Sequence, residues 1–159
     1  MIAAPTSLEE VAREADEATR AARARLVAAV REAYNTGMPQ TEIARRIGRS
    51  QPEVSRLVRF HGTTPLARRL RRHRHEVLRI IGDAGGSKVR VFGSVATGRE
   101  REGSDIDLLF HMDRPMGLMR LSRLELELEQ ILGVEVDLVP DSTIAPYIRN
   151  RVMSEATPL

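Results

Sequence analysis

Hydrophobic residues in the first quarter of the chain recur every three or four positions. This spacing runs from about residue 8 to residue 34 without a Pro or Gly, and it predicts a long amphipathic helix. Ser7-x-x-Glu10 predicts a capping box at its start, and the Asn-Thr-Gly run at 35–37 predicts its end. Because Ala fills much of the apolar stripe in its first half, that half should bury little area without a partner helix.

Two shorter helices follow, with Gly48 between them. The apolar spacing predicts the first from about Gln40 to Ile47 and the second from about Gln51 to Phe60. Ser50 is the predicted N-cap of the second helix, and Ser50-x-x-Glu53 repeats the capping-box pattern. The Gly-Thr-Thr-Pro run that follows predicts a linker.

The rest of the chain mixes helical and extended patterns. The predicted elements are a helix at about 65–81, strands at 89–92 and 106–111, a helix at 118–132, a strand at 134–139 and a helix at about 142–155. The Leu-Glu alternation at 124–129 would also fit a strand, but the segment's length and the helix propensity of both residues favour a helix. The pattern predicts an α+β protein, with an all-α domain at 1–62 and a small α/β domain at 63–159.

Charge differs between the two halves of the chain. Residues 1–76 carry 15 Arg and 9 acidic residues, a net charge of +6, whereas residues 77–159 carry 10 basic and 13 acidic residues, a net charge of −3. Two segments of opposite sign indicate two modules with different partners. The basic segment indicates a polyanionic partner.

Composition excludes several classes of protein. Hydrophobic residues make up 42% of the chain, enough to bury a core, and the lack of Cys excludes disulfides and cysteine-ligated zinc. No apolar run approaches about 18 residues, so no membrane span is predicted. The first seven residues have neither a basic leader nor an apolar segment. We therefore expect a cytoplasmic protein without a secretory signal.

Residues 40–59 have the layout of a helix-turn-helix, and Gly48 supplies the tight turn where a positive φ is needed. The residues expected to face inward are Ile43, Ala44 and Ile47 from the first helix and Val54 and Leu57 from the second. The residues expected to bind DNA are Ser50, Gln51, Ser55, Arg56 and Arg59. The layout resembles that of small bacterial repressors; a three-helix bundle with a solvated basic face is the alternative.

A second set of candidate residues lies between residues 92 and 110. Gly93 and Ser94 follow a predicted strand, where a Gly lets backbone N–H groups approach a phosphate and the Ser hydroxyl adds a donor. Asp105 and Asp107 lie two positions apart, so a strand places both carboxylates on one face. Their repulsion would raise their pKa values, and Mg²⁺ bound between them would remove that penalty.

Asp137 is the third candidate carboxylate. It lies in the predicted strand at 134–139, where alternation places it on the same face as Glu135. If this strand pairs beside the strand of Asp107, Asp137 can reach the same metal, as a ligand or as a general base. An isolated Asp-x-Asp is usually a solvated strand end, but its combination with the Gly-Ser turn and a third Asp favours a catalytic site.

The segments 92–110 and 136–139 resemble the signature of the minimal nucleotidyltransferases, a branch of the polymerase-β-like superfamily. The resemblance covers about residues 66–159 and implies a small α/β domain with a mixed sheet. The residues to which it assigns roles are Gly93 and Ser94 for the triphosphate, Asp105 and Asp107 for Mg²⁺, and Asp137 as the third catalytic and metal-binding carboxylate.

The activity that the resemblance implies is transfer of AMP from ATP to a hydroxyl group, with Mg²⁺ as cofactor and pyrophosphate as product. Many minimal members resemble antitoxins that place AMP on a tyrosine of a helical HEPN-type ribonuclease toxin. A fused helix-turn-helix would suit an antitoxin that also binds its own operator DNA. The expected assembly is a homodimer, with a contact through the long first helix, or a hetero-oligomer with the toxin.

Two other functions remain open from the sequence. One is a DNA-binding regulator whose transferase fold only binds a nucleotide or a partner. The other is a transferase that acts on a small molecule. The small size of the predicted transferase domain leaves no second domain to enclose a small acceptor, which favours a protein substrate.

Overall fold

The structure is a computed structural model and describes residues 7–159. The expectation about a leader falls largely on residues 1–6, which lie outside the described residues. The α-helices are α1 Leu8–Asn35, α2 Gln40–Ile47, α3 Gln51–Val58, α4 Pro65–Arg72, α5 Arg74–Asp83, α6 Gly93–Thr97, α7 Leu118–Leu132 and α8 Pro146–Glu155. The strands are β1 Gly86–Phe92, β2 Ile106–Met112, β3 Val136–Pro140 and β4 Thr157–Pro158. The α+β class is confirmed.

Helix α1 begins with the predicted capping box. The Ser7 hydroxyl accepts a bond from the Glu10 N–H, and the Ser7 N–H donates to Glu10 Oε2, both at 3.1 Å. The side chains from residue 8 to residue 25 are exposed, including 84% of Leu8, and Val30 is the fully buried residue of the helix. Only the second half of α1 is therefore packed against the rest of the described chain.

A small hydrophobic core joins α1, α2 and α3. Its buried residues are Val30, Ile43, Ala44, Val54 and Val58. The sequence prediction gave Leu57 rather than Val58 as the inward residue, whereas Leu57 is only partly buried. Helix α3 also ends at Val58, before the predicted Phe60, because Arg59 is extended at φ −73° and ψ 150°.

The helix predicted at 65–81 is instead two helices that meet at His73. His73 leaves the helical conformation at φ −95° and ψ 12°. No Pro or Gly marks this break, so the local sequence does not predict it. Ala67 and Leu70 of α4 and Val77 of α5 are all fully buried in one core.

Four strands form one mixed sheet in the order β3-β2-β1-β4. Strand β1 pairs antiparallel with β2 and β4, whereas β2 pairs parallel with β3. The predicted mixed sheet is confirmed. Strand β4 was not predicted, because two residues are too few to show a period of two. Helices α4, α5 and α7 cover one face of the sheet, and α8 packs on the other.

Several element boundaries differ from the predictions. Strand β1 starts three residues early, across an irregularity at which Lys88 has φ +50°. Strand β3 starts two residues late, and the last helix starts at Pro146 after a 3-10 turn at Asp141–Thr143. Leu118, the first residue of α7, is 82% exposed, because it lies at the helix start beyond the core.

The C-terminal end of α1 is fixed to α8. The Asn35 Nδ2 group donates to the backbone oxygens of Met153 at 2.8 Å and Ala156 at 2.6 Å. The N-terminal helices therefore pack directly on the sheet-containing part of the chain. Within the described range, no helix is both long enough and apolar enough to cross a membrane.

Candidate active site

Three aspartates converge at one end of strands β2 and β3. Because β2 and β3 are parallel neighbours, Asp107 and Asp137 lie directly opposite each other in the sheet. Asp105 immediately precedes β2 and points to the same side as Asp107. One carboxylate oxygen from each aspartate lies within 4.8 Å of the others. The pairing on which the placement of Asp137 depended is therefore present.

The local sequence explains why these carboxylates face outward from the core. Ile106 and Leu108 are both fully buried, so the alternating residues Asp105 and Asp107 must point the other way. The Ile106 N–H donates to the Glu135 carbonyl at 3.0 Å, which extends the pairing beyond β3. The Glu135 side chain is exposed and does not join the carboxylate cluster.

The cluster carries uncompensated negative charge. Burial raises the pKa of Asp107 to about 6, with further contributions from the charges of Asp105, Asp137 and Glu155. Partial removal from water, together with the charge and a hydrogen bond of Asp105, raises the pKa of Asp137 as well. Carboxylates in such a group favour either a bound proton or a bound cation.

Gly93 brings the backbone against this cluster. It has φ +71°, and a Cβ built at this position would collide with Asp107 Oδ2. Gly is therefore required here both for its conformation and for its missing side chain. Ser94 follows within the first turn of α6 and is half-buried. The Gly-Ser turn predicted to bind phosphate thus lies directly beside Asp107.

The cluster fits a divalent cation by its chemistry. It offers three carboxylates and only oxygen donors, the ligand type preferred by Mg²⁺. Burial and the neighbouring carboxylates both raise the pKa of Asp107, and a bound cation would favour its charged form. Asp105, Asp107 and Asp137 would hold the ion.

Two acidic residues near the site were missed by sequence reasoning. Glu155, at the end of α8, contributes to the raised pKa of Asp107 although it is almost 50 positions away in the chain. Glu100 fixes the loop between α6 and β2, since its Oε1 accepts a 3.0 Å bond from the Leu66 N–H at the start of α4. No local pattern marks either residue, because both act through contacts made only in the folded chain.

The candidate DNA-binding residues lie apart from the aspartates, on α3 and the positions flanking it. Gly48 has φ +65°, as the predicted turn between α2 and α3 requires. Ser50 caps α3 in a capping box with Glu53. Gln51 Nε2 donates to Gln40 Oε1 at 2.6 Å, Ser55 is half-buried, and Arg56 and Arg59 are exposed.

Comparison with known proteins agrees with the fold around the aspartates. Residues 70–159 match the family model of the nucleotidyltransferase domain. A Methanocaldococcus jannaschii protein named as a protein adenylyltransferase is 35% identical over 83 residues, which cover 52% of this chain and 89% of the relative. Protein adenylyltransferase MntA of Thermococcus cleftensis is 37% identical over 71 residues, covering 45% of this chain and 72% of the relative.

A solved structure described as a minimal nucleotidyltransferase is 43% identical and has a TM-score of 0.54. The match covers 62% of this chain and 100% of that structure. Residues 7–69, which include α1, α2 and α3, lie outside the segment matched by the family model.

Proposed function

Because the chain belongs to the nucleotidyltransferase domain family, we propose that it transfers AMP from ATP to a hydroxyl group of a partner protein. The observation that carries the proposal is the cluster of Asp105, Asp107 and Asp137 beside the backbone of Gly93. The choice of a protein as acceptor is supported by relatives named as protein adenylyltransferases that match the same part of the chain.

The reaction assigns a role to each residue of the site. Gly93 and Ser94 hold the triphosphate, while Asp105, Asp107 and Asp137 bind Mg²⁺, which supplies charge stabilisation at the reacting phosphate. The acceptor oxygen forms a bond to the α-phosphorus as the bond to pyrophosphate breaks. Asp137 is exposed, so a partner hydroxyl can reach it, and it would act as a metal ligand or as the group that takes the hydroxyl proton.

We extend the proposal to an antitoxin whose acceptor is a tyrosine of a helical HEPN-type ribonuclease. The exposed position of Asp137 supports a large acceptor, since a protein hydroxyl must reach the cluster from outside. In this arrangement the modified ribonuclease would be inactive, and the antitoxin and its toxin would form a hetero-oligomer.

The test is incubation of the protein with Mg²⁺, ATP labelled at the α-phosphate, and the protein encoded by the neighbouring gene. We expect label on that partner, and no label when Asp105 and Asp107 are both changed to Asn. Asp113→Asn is the matched control and should leave transfer unchanged, because Asp113 is exposed and lies just beyond the opposite end of β2. Label on small molecules alone would contradict the protein acceptor.

We further propose that residues 1–62 form a DNA-binding domain that recognises the operator of its own gene, beside a transferase domain at 63–159. The left-handed Gly48 turn and the exposed Arg56 and Arg59 of the α3 region support this assignment. Binding of two copies to a pseudo-palindrome would compensate for the small contact that each copy makes.

The DNA-binding proposal is tested by titrating the DNA upstream of the gene at several salt concentrations. Arg56→Ala should weaken binding and lower the salt slope by about 1, because one phosphate or base contact is lost. Arg79→Ala, on the exposed face of α5, is the control and should change neither quantity. An unchanged salt slope for Arg56→Ala would place the DNA contact elsewhere.

A further inference from the structure

A basic groove of about 510 Å³ lies between α1, α6 and α8. Its charged and polar lining comes from three parts of the chain that are distant in sequence. These residues are Arg20, Arg23 and Arg31 of α1, Thr97 at the end of α6 and Arg99 just beyond it, and Ser154 and Glu155 of α8. The groove therefore combines the N-terminal helix with the element that follows the Gly-Ser turn.

The contribution of α1 to the basic groove is one continuous face of the helix. The residues from this helix stand at positions 20, 23, 24, 27, 28 and 31. Spacings of three and four place them along a single stripe. Arg25 lies two positions from Arg23, about 200° around the helix, so it points away from the stripe.

The basic groove is adjacent to the aspartate cluster on two sides. Helix α6 begins at Gly93, beside Asp107, and ends at Thr97, which lines the groove. Five residues of helix span only about 7 Å. Glu155 of α8 also lines the groove, and α8 packs against α6. A molecule bound at the Gly-Ser turn could thus extend into the groove.

The charge of the basic groove fits a phosphate chain. Four arginines face a single carboxylate, that of Glu155. Two of the arginines are partly engaged, because Arg20 Nε donates to the Asp16 carbonyl and Arg31 Nε donates to the Leu57 carbonyl. The hydrogen bonds and ion pairs found within residues 7–159 leave the guanidinium groups of Arg23 and Arg99 available for a ligand.

We propose that the basic groove binds the outer phosphates of the nucleoside triphosphate, with Arg23 and Arg99 as the principal donors. Arginine suits this task because its guanidinium group donates two parallel hydrogen bonds to a phosphate. The choice of a triphosphate rests on the nucleotidyl transfer proposed above. Since α1 also packs against α2 and α3, the same helix would then serve both nucleotide binding and the N-terminal module.

The test measures binding by titration calorimetry of the full chain in Mg²⁺ with ATP, inorganic pyrophosphate and AMP. Arg23→Gln should weaken binding of ATP and pyrophosphate about tenfold, the loss expected for one hydrogen bond between charged groups. AMP, which lacks the outer phosphates, should bind unchanged. Arg25→Gln removes the same charge from the other side of the same helix and should leave all three affinities unchanged.

Two further variants keep the result interpretable. Arg23→Lys should restore only part of the affinity for pyrophosphate, because the positive charge remains but the two parallel hydrogen bonds of the guanidinium group are lost. If Arg23→Gln fails to fold by circular dichroism, Arg99→Gln on the opposite wall should show the same pattern of losses.

Unchanged affinity for pyrophosphate in Arg23→Gln and Arg99→Gln would overturn the proposal, as would equal losses in Arg23→Gln and Arg25→Gln. A loss confined to the binding of the partner protein would also overturn it and assign the groove to that partner. Failure of the proposed protein transfer gives a different result. In that case the wild-type chain binds ATP and pyrophosphate through Arg23 but places no AMP on any protein.

Discussion

The charged residues at the start of α3 and the three aspartates at one end of β2 and β3 lie in opposite electrostatic environments. At the start of α3, hydrogen bonds from the backbone and side chain of Ser50 hold the pKa of Glu53 below its usual value. In the aspartate cluster at one end of β2 and β3, burial and neighbouring carboxylates raise the pKa of Asp107 to about 6. The first arrangement satisfies its charges locally, whereas the second forces like charges together. The α3 region thus adds to stability by itself, and the aspartate cluster needs a ligand to offset its repulsion.

The largest expected effect comes from Gly93→Ala, which disturbs the close approach of the backbone to the aspartate cluster. Its new Cβ would collide with Asp107 Oδ2, and its φ of +71° disfavours any residue with a side chain. We expect loss of transfer and a free energy of unfolding lower by about 3 kcal/mol, from backbone strain and overlap together. Urea unfolding and the labelled-ATP assay measure the two effects.

Gly98→Ala is the matched control for this substitution. Gly98 has the same φ of +71°, but nothing lies within 4 Å of a Cβ built there. It should lose only about 1 kcal/mol, from the left-handed conformation alone. If both variants lost equal stability and activity, the close approach of Gly93 to Asp107 would not matter.

The aspartate cluster and the neighbouring Gly93 show what the sequence can and cannot predict. The direction of Asp105 and Asp107 follows from the apolar Ile106 and its neighbours, because alternation in a strand is a local rule. The collision between Gly93 and Asp107 depends on how two strands meet, and no local pattern contains that information.

Other features could not be predicted, because they too depend on contacts between distant parts of the chain. No Pro or Gly marks the break at His73, and strand β4 is recognisable only by its pairing with β1. The basic groove joins α1 to Glu155 across more than a hundred positions. Helices with clear periodicity, such as α2 and α7, were predicted with their observed bounds because their signal is local.

Asp107→Asn tests the repulsion among the three aspartates directly. It should raise stability, whereas Gly93→Ala should lower it. A pKa raised from 3.8 to about 6 means that the folded chain holds this proton more tightly than the unfolded chain. The free energy of unfolding should therefore fall as the pH rises through this window. In metal-free buffer at pH 7, Asp107→Asn should gain about 1.5 kcal/mol while transfer is lost. This gain is less than the full pKa difference implies, because solvent screens a partly exposed carboxylate.

The measurement is thermal unfolding at pH 5 and pH 7, with and without Mg²⁺. The wild-type chain should gain stability from Mg²⁺ at pH 7, because the ion offsets the charge that the aspartates share. Asp107→Asn should be less sensitive both to pH and to Mg²⁺. Asp113→Asn provides the control. Equal pH dependence of the wild-type chain and Asp107→Asn without metal would contradict the argument.

The smallest expected effect comes from Asn35→Ala, which asks whether the two regions behave as one unit. Asn35 Nδ2 donates to the carbonyl oxygens of Met153 and Ala156, and so fixes α1 to α8. Loss of these two partly buried bonds should lower the free energy of unfolding by about 1 kcal/mol. Asn150→Ala, at an exposed position of α8, should change it by less than about 0.5 kcal/mol.

The effect of Asn35→Ala on ligand binding tests whether α1 contributes to binding of the outer phosphates. If α1 lines the basic groove, loosening its attachment to α8 should weaken pyrophosphate binding severalfold while leaving AMP binding intact. The proposed operator binding through α3 should persist, because the core around Val54 does not involve Asn35. Unchanged pyrophosphate affinity, with the expected loss of stability, would mean that the N-terminal helices and the aspartate cluster share a surface without sharing a ligand.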